Sequence, residues 1–146
     1  MTQVLIVDSQ QLSRDALCRL LEGGGEIAVL GSAGGYEASV AAVCHHEIDI
    51  VVIDLAGTDD VMATLADLKQ IRPAMRTLVL AQTAEAALAL RVLEKGIDGY
   101  VTMADDAETL LAAVRSLSAG ERYVCPDVGW QIAMNLLQAY PGTVLH

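Results

Sequence analysis

Ile50-Val51-Val52-Ile53-Asp54-Leu55 sets four branched aliphatic residues in a row and closes on a carboxylate. A run without alternation is apolar on both sides, which suits a strand buried between two helical layers rather than one lying at a surface. Such strands belong to parallel sheets, and ligands and reactive groups collect where their carboxyl ends emerge. Asp54 falls at that edge.

Outward from this stretch the same unit repeats. Val4-Leu5-Ile6-Val7 also ends on an acid, Asp8. Leu12, Ala16, Leu17, Leu20 and Leu21 follow at helical spacing, with Ser9 or Ser13 as cap and Gly23-Gly24-Gly25 as stop. Ile27 to Leu30 predicts a second strand and Glu37 to His46 a helix with Val40, Val43 and Cys44 inward. The glycines between them lack the G-x-x-x-x-G-K-S/T pattern of a phosphate loop and read as a turn. After Asp54 a short loop, 56–60, leads to a helix through Leu65, Leu68 and Ile71 that Pro73 ends. Thr77 to Ala81 is the fourth strand, Thr83 caps a helix from Ala84 to Lys95, and Gly99 to Thr102 is the fifth. Asp105 or Asp106 caps the helix of Leu110, Val114 and Leu117. The expected fold is a doubly wound, five-stranded parallel α/β sheet of order 2-1-3-4-5, with one further helix behind it.

That last helix spans Val128 to Tyr140, where Val128, Ile132, Leu136 and Tyr140 recur every four residues and no charge occurs before Pro141-Gly142. A helix this apolar docks on its own domain or on another chain. Residues 1–124 form the expected domain and 125–146 its linker helix and tail.

Nine basic against nineteen acidic residues give a net charge of −10, a field that repels nucleic-acid phosphates and anionic lipid. No apolar run spans a bilayer and no basic segment opens the chain, so a cytoplasmic protein without direct nucleic-acid or membrane contact is expected. Cys18, Cys44 and Cys125 form no C-x-x-C pair and read as buried free thiols. The adjacent His45 and His46 read as the end of a helix.

Taken together, Val4 to Asp8, Val51 to Leu55, Glu94-Lys95-Gly96-Ile97-Asp98-Gly99-Tyr100-Val101 and Glu121-Arg122-Tyr123-Val124 resemble a response-regulator receiver (CheY-like) domain of the NarL/LuxR type, over roughly residues 3 to 125. The resemblance implies a phosphoryl-accepting aspartate, an acidic pair that holds magnesium, a Thr or Ser, a Lys and an aromatic switch. Asp54 matches the acceptor, Asp8 the first acid and Tyr100 the aromatic. Ser9 stands in place of the second acid, Ala81 in place of the Thr or Ser, and Met103 in place of the Lys. The loop after Asp54 is shortened and lacks the Met-Pro-Gly run.

Each departure weakens a phosphorylated state. Asp8 and Asp54 can still hold Mg2+, but weakly, and no cofactor is required. Met103 withdraws the ammonium that would face a phosphoryl group of about −1.5 to −2 charges, and Ala81 withdraws a hydroxyl. The expected function is therefore a non-enzymatic pseudo-receiver that acts through a protein partner or a homodimer, independently of phosphate, and regulates transcription through a missing or separate DNA-binding output. Leu88, Leu90, Trp130 and Leu136 are its candidate contact residues. Asp54 is then a relic that caps its own loop. Two alternatives stay open: a receiver phosphorylated at Asp54 by a histidine kinase, and a flavodoxin-like small-ligand domain with a pocket near Met103.

Overall fold

A computed structural model describes residues 1–56 and 60–139. Residues 57–59 of the loop expected at 56–60, and Tyr140 with the Pro141-Gly142 stop, lie outside them. In chain order the elements are β1 (Thr2–Val7), α1 (Gln11–Glu22), β2 (Ile27–Ala33), α2 (Tyr36–His45), β3 (Ile50–Asp54), α3 (Val61–Ile71), β4 (Arg76–Ala81), α4 (Ala86–Glu94), β5 (Gly99–Thr102), α5 (Ala107–Ser118), β6 (Tyr123–Val124) and α6 (Pro126–Ala139).

All strand pairs are parallel, in the order β2-β1-β3-β4-β5-β6. The expected order 2-1-3-4-5 is present, and the expectation of five strands is corrected to six. β6 has only two residues, Tyr123 and Val124, paired to Gly99 and Tyr100, and a strand that short carries no readable period.

The strands alternate sides as a two-faced sheet requires. Leu5, Val7, Val51, Ile53, Val79 and Tyr100 form one core with residues of α2, α3, α4 and α6. Val4, Ile6, Val52, Leu78 and Val101 form the other with α1 and α5. Gly99 lets the second of these cores close over β5, since a Cβ there would lie 2.6 Å from Leu78 Cδ1 and 3.1 Å from Leu117 Cδ1 and would push those side chains aside.

Several local expectations change. Neither Ser9 nor Ser13 caps α1; its N-cap is Gln10, without a side-chain bond. Leu12 is 87 % exposed, because the buried stripe of α1 runs through Leu17 and Leu21. On α2 the buried positions are Ser39 and Val43, which turns Cys44 outward, while Cys18 is half-buried and Cys125 fully buried. Burial pushes the Cys125 thiol up to about 11. Asp106 caps α5 as expected, accepting from the Thr109 amide at 2.9 Å.

The largest revision concerns α4, which begins at Ala86 rather than Ala84. Thr83 does not cap it; its hydroxyl donates to Glu85 instead. Gln131 of α6 takes that role, accepting from the Ala86 amide at 3.2 Å and donating to the Ala84 carbonyl at 3.0 Å. At the other end Arg122 donates to the carbonyls of Leu93 and Ile97, both at 2.8 Å. α6 packs on α4 through buried Val128 and half-buried Gln131 and Ile132. Leu136 does not continue that stripe: four-residue steps advance about 40° per step on a helix of 3.6 residues per turn, and Leu136 is exposed.

Candidate functional site

The sheet register brings the two sequence-predicted acids together. Val7 pairs with Ile53, so Asp8, the next residue, and Asp54, the last of β3, stand side by side at the carboxyl edge. Both are buried. Asp8 Oδ1 accepts from the Gln10 amide at 2.9 Å, while Oδ2 has no hydrogen-bond partner among the described residues. Asp54 Oδ1 accepts from the Ala56 amide at 2.9 Å, so this carboxylate does cap the start of its own loop.

A buried carboxylate oxygen without a donor is costly, and a cation is one way to satisfy it. Asp8 and Asp54 thus fit a Mg2+ ion that completes its shell with water or phosphate oxygens. No third acid, histidine or cysteine joins them in a metal-holding group among the described residues, and Ser9 is exposed.

The positions that would act on a phosphoryl group are differently furnished. Ala81, at the end of β4, is buried and pairs with Thr102. Thr102 donates its hydroxyl to Asp105 Oδ2 at 3.0 Å. Met103 follows, tied by its amide to the Ala81 carbonyl at 2.8 Å, with its side chain 45 % exposed. Tyr100 is fully buried and its hydroxyl donates to the Thr83 carbonyl at 3.2 Å. Burial, then the nearby Glu85 carboxylate, pushes its phenol above the ordinary value.

One residue at this edge escaped the sequence reading. Arg14 Nη1 donates to the Asp8 carbonyl at 2.7 Å, and its Nε is buried without a partner among the described residues. A guanidinium against the carboxyl end of β1 places positive charge beside an acidic pair. Its sequence signal is thin, a lone basic residue in the second turn of an amphipathic helix.

The remaining candidates scatter. Leu88 is half-buried against the core, whereas Leu90, Trp130 and Leu136 are exposed, Trp130 by 68 %. The cavity bounded by Met103 holds only about 110 Å3, below the roughly 300 Å3 at which small-molecule sites begin.

Paired acids on the ends of the first and third strands of a 2-1-3-4-5 sheet match a known family profile. The profile of the response regulator receiver domain matches residues 4–115. The chain belongs to this family. The receiver is 27 % identical to the response regulator UvrY of Escherichia coli strain K12 over 146 residues, covering 94 % of this chain and 64 % of that one. It is 30 % identical to the transcriptional regulatory protein DegU of Brevibacillus brevis over 140 residues, covering 94 % and 57 %. The chain therefore spans less than two thirds of the length of these relatives. Among solved structures, a LuxR-family two-component response regulator from Aurantimonas sp. SI85-9A1 superposes with a TM-score of 0.87 at 28 % identity, covering 94 % of this chain and 99 % of that one. The receiver domain of RcsB from Salmonella enterica serovar Typhimurium gives 0.79 at 20 % identity, covering 88 % and 96 %, a likeness of fold. The receiver is of the LuxR type. Among its described residues no helix is long and apolar enough to cross a membrane.

Proposed function

We propose that this is a pseudo-receiver: a non-enzymatic cytoplasmic signalling module whose output is a protein contact made without phosphorylation of Asp54. The observation that carries this reading is the pair Ala81 and Met103, which puts a buried methyl and a solvent-facing thioether where a hydroxyl and an ammonium would hold a phosphoryl group. Tyr100 supports it, since its hydroxyl is already engaged inside the fold and awaits no trigger. Exposed Leu90, Trp130 and Leu136 are the proposed contact residues, with a second copy or a protein partner as occupant. Control of transcription would then pass through a DNA-binding output, on the same or a separate chain, because a net charge of −10 disfavours direct contact with nucleic acid.

A second reading has one observation in its favour, the donor-free Oδ2 of Asp8 beside Asp54. A site that still holds Mg2+ weakly can accept a phosphoryl group, from a histidine kinase or a small phosphodonor. Incubation with Mg2+ and acetyl phosphate, followed by intact mass measurement, separates the two. Unmodified protein is expected. A stoichiometric phosphoryl adduct that disappears in Asp54→Ala would overturn the pseudo-receiver reading.

A further inference from the structure

The helices on the face opposite α1 and α5 fall into two pairs, α2 with α3 and α4 with α6. On this face a groove of about 770 Å3 runs along α3 from Asp60 to Pro73 and is closed by the turn between α4 and β5. The 11 residues of α3 give this wall a length of about 15 Å. Its lysine-bearing end lies at the edge of the sheet opposite the acidic pair, and the inference is independent of the function proposed above.

The floor is apolar. Leu65 and Ile97 are buried members of the core and Met62 is half-buried against it. Ala63 and Ala66 are exposed and share one helix face, so the wall they form is thin. Gly96, with φ +92°, makes the turn that sets the far wall.

Charge is unequal along the groove. α3 and α4 both descend toward the amino edge of the sheet, and Lys69 in the last turn of α3 and Lys95 just after α4 come to the same end; Asp60 stands at the other. Lys69 Nζ is 3.6 Å from Asp98 Oδ2, but Asp98 also has Arg76 Nη1 at 3.5 Å and the Thr77 amide at 2.9 Å. Asp98 therefore stays partnered if Lys69 turns into the groove. Lys95 has no acid within ion-pair distance among the described residues.

An apolar trough with two ammonium groups at one end, in a chain of net charge −10, selects a particular chemistry. We propose that it binds a small amphipathic acid, an acyl or aryl carboxylate whose head lies between Lys69 and Lys95 and whose body lies on Leu65, Ala66 and Met62. The volume falls within the range of about 300 to 1,000 Å3 of small-molecule sites.

Decanoate, decanol and decyltrimethylammonium, titrated below their micelle concentrations and followed by backbone amide NMR, test the assignment. Decanoate is expected to shift the amides of residues 62–69 and 95–97 saturably, decanol more weakly, and the cation not at all. Lys69→Ala with Lys95→Ala should weaken decanoate roughly tenfold, the sum of two exposed ion pairs. Lys95→Glu, which leaves Asp98 untouched, should weaken it comparably. Ala66→Trp should block the groove while amides on the α1 and α5 face keep their positions. The proposal is overturned if decanoate leaves the groove amides unshifted, if decanol binds as tightly, or if the lysine variants bind like the wild type.

Discussion

In the proposed pseudo-receiver Met103 and Ala81 decide how the acidic pair is used, because they stand where the family resemblance implies an ammonium and a hydroxyl. Hydrogen bonds to a charged group are roughly twice as strong as neutral ones, so the ammonium is the greater loss. Met103 is already solvent-facing, and a lysine there meets no packing barrier. The variant Ala81→Thr with Met103→Lys is expected to acquire a phosphoryl adduct on Asp54 with Mg2+ and acetyl phosphate under conditions where the wild type stays unmodified. Equal, negligible labelling of both would show that Ser9 or the shortened loop is the limiting defect. A second residue-scale outcome concerns Asp106, whose carboxyl is held below its ordinary value of 3.8 first by the Thr109 hydroxyl and then by the Thr109 amide. A carboxyl whose folded pKa is lowered contributes stability above its unfolded value and loses it as pH falls through the lowered one. Asp106→Ala should therefore lower the thermal midpoint at pH 7, and the gap from wild type should close as pH drops below 3.8. A gap independent of pH would mean that the carboxylate is not the capping species.

α4 shows what one element owes to another. Its first free amide is held by Gln131, and its Leu93 carbonyl and the Ile97 carbonyl just beyond it by Arg122, both from the segment after α5. Removing the two Gln131 bonds in Gln131→Ala should cost about 1 to 2 kcal/mol. Faster hydrogen exchange at the Ala86 amide than in the wild type, with α1 and α5 unchanged, is the local signature. Unaltered exchange at Ala86 would show the cap to be idle. This contact also marks where sequence reading stops. Strands were legible because burial on both faces leaves an unbroken aliphatic run, and Asp8 and Asp54 were legible because each ends such a run. The choice between Thr83 and Gln131 as the cap of α4 was not, since the partners are 45 residues apart and no local spacing encodes them. Arg14 was missed for a related reason: its role arises from where α1 crosses the end of β1, and its neighbours in sequence look like any solvated helix face. Leu12 and Leu136 failed in the opposite sense, as apolar residues at helical spacing that the packing leaves outside.

On the scale of the whole molecule, net charge and the uncharged stretch of α6 that begins at Val128 pull against each other. A charge of −10 repels a second copy at long range, yet α6 presents Trp130 and Leu136 to solvent on a stretch without a single charged residue. Two acidic chains meet at least electrostatic cost where neither carries charge, and aromatic anchors such as Trp130 are the residues that dominate contact energies. Salt then distinguishes this mode of association from a charge-paired one. The Debye length shrinks from about 10 Å at 0.1 M to about 3 Å at 1 M, which screens the repulsion while leaving apolar burial intact. Self-association through α6 should therefore strengthen as ionic strength rises, whereas an interface held by ion pairs weakens. Sedimentation equilibrium at low and high KCl is expected to show the dimer fraction increasing with salt, and Trp130→Glu should keep the chain monomeric at both while circular dichroism confirms an intact fold. A dimer that dissociates with added salt, or one indifferent to Trp130→Glu, would place the contact elsewhere on the surface.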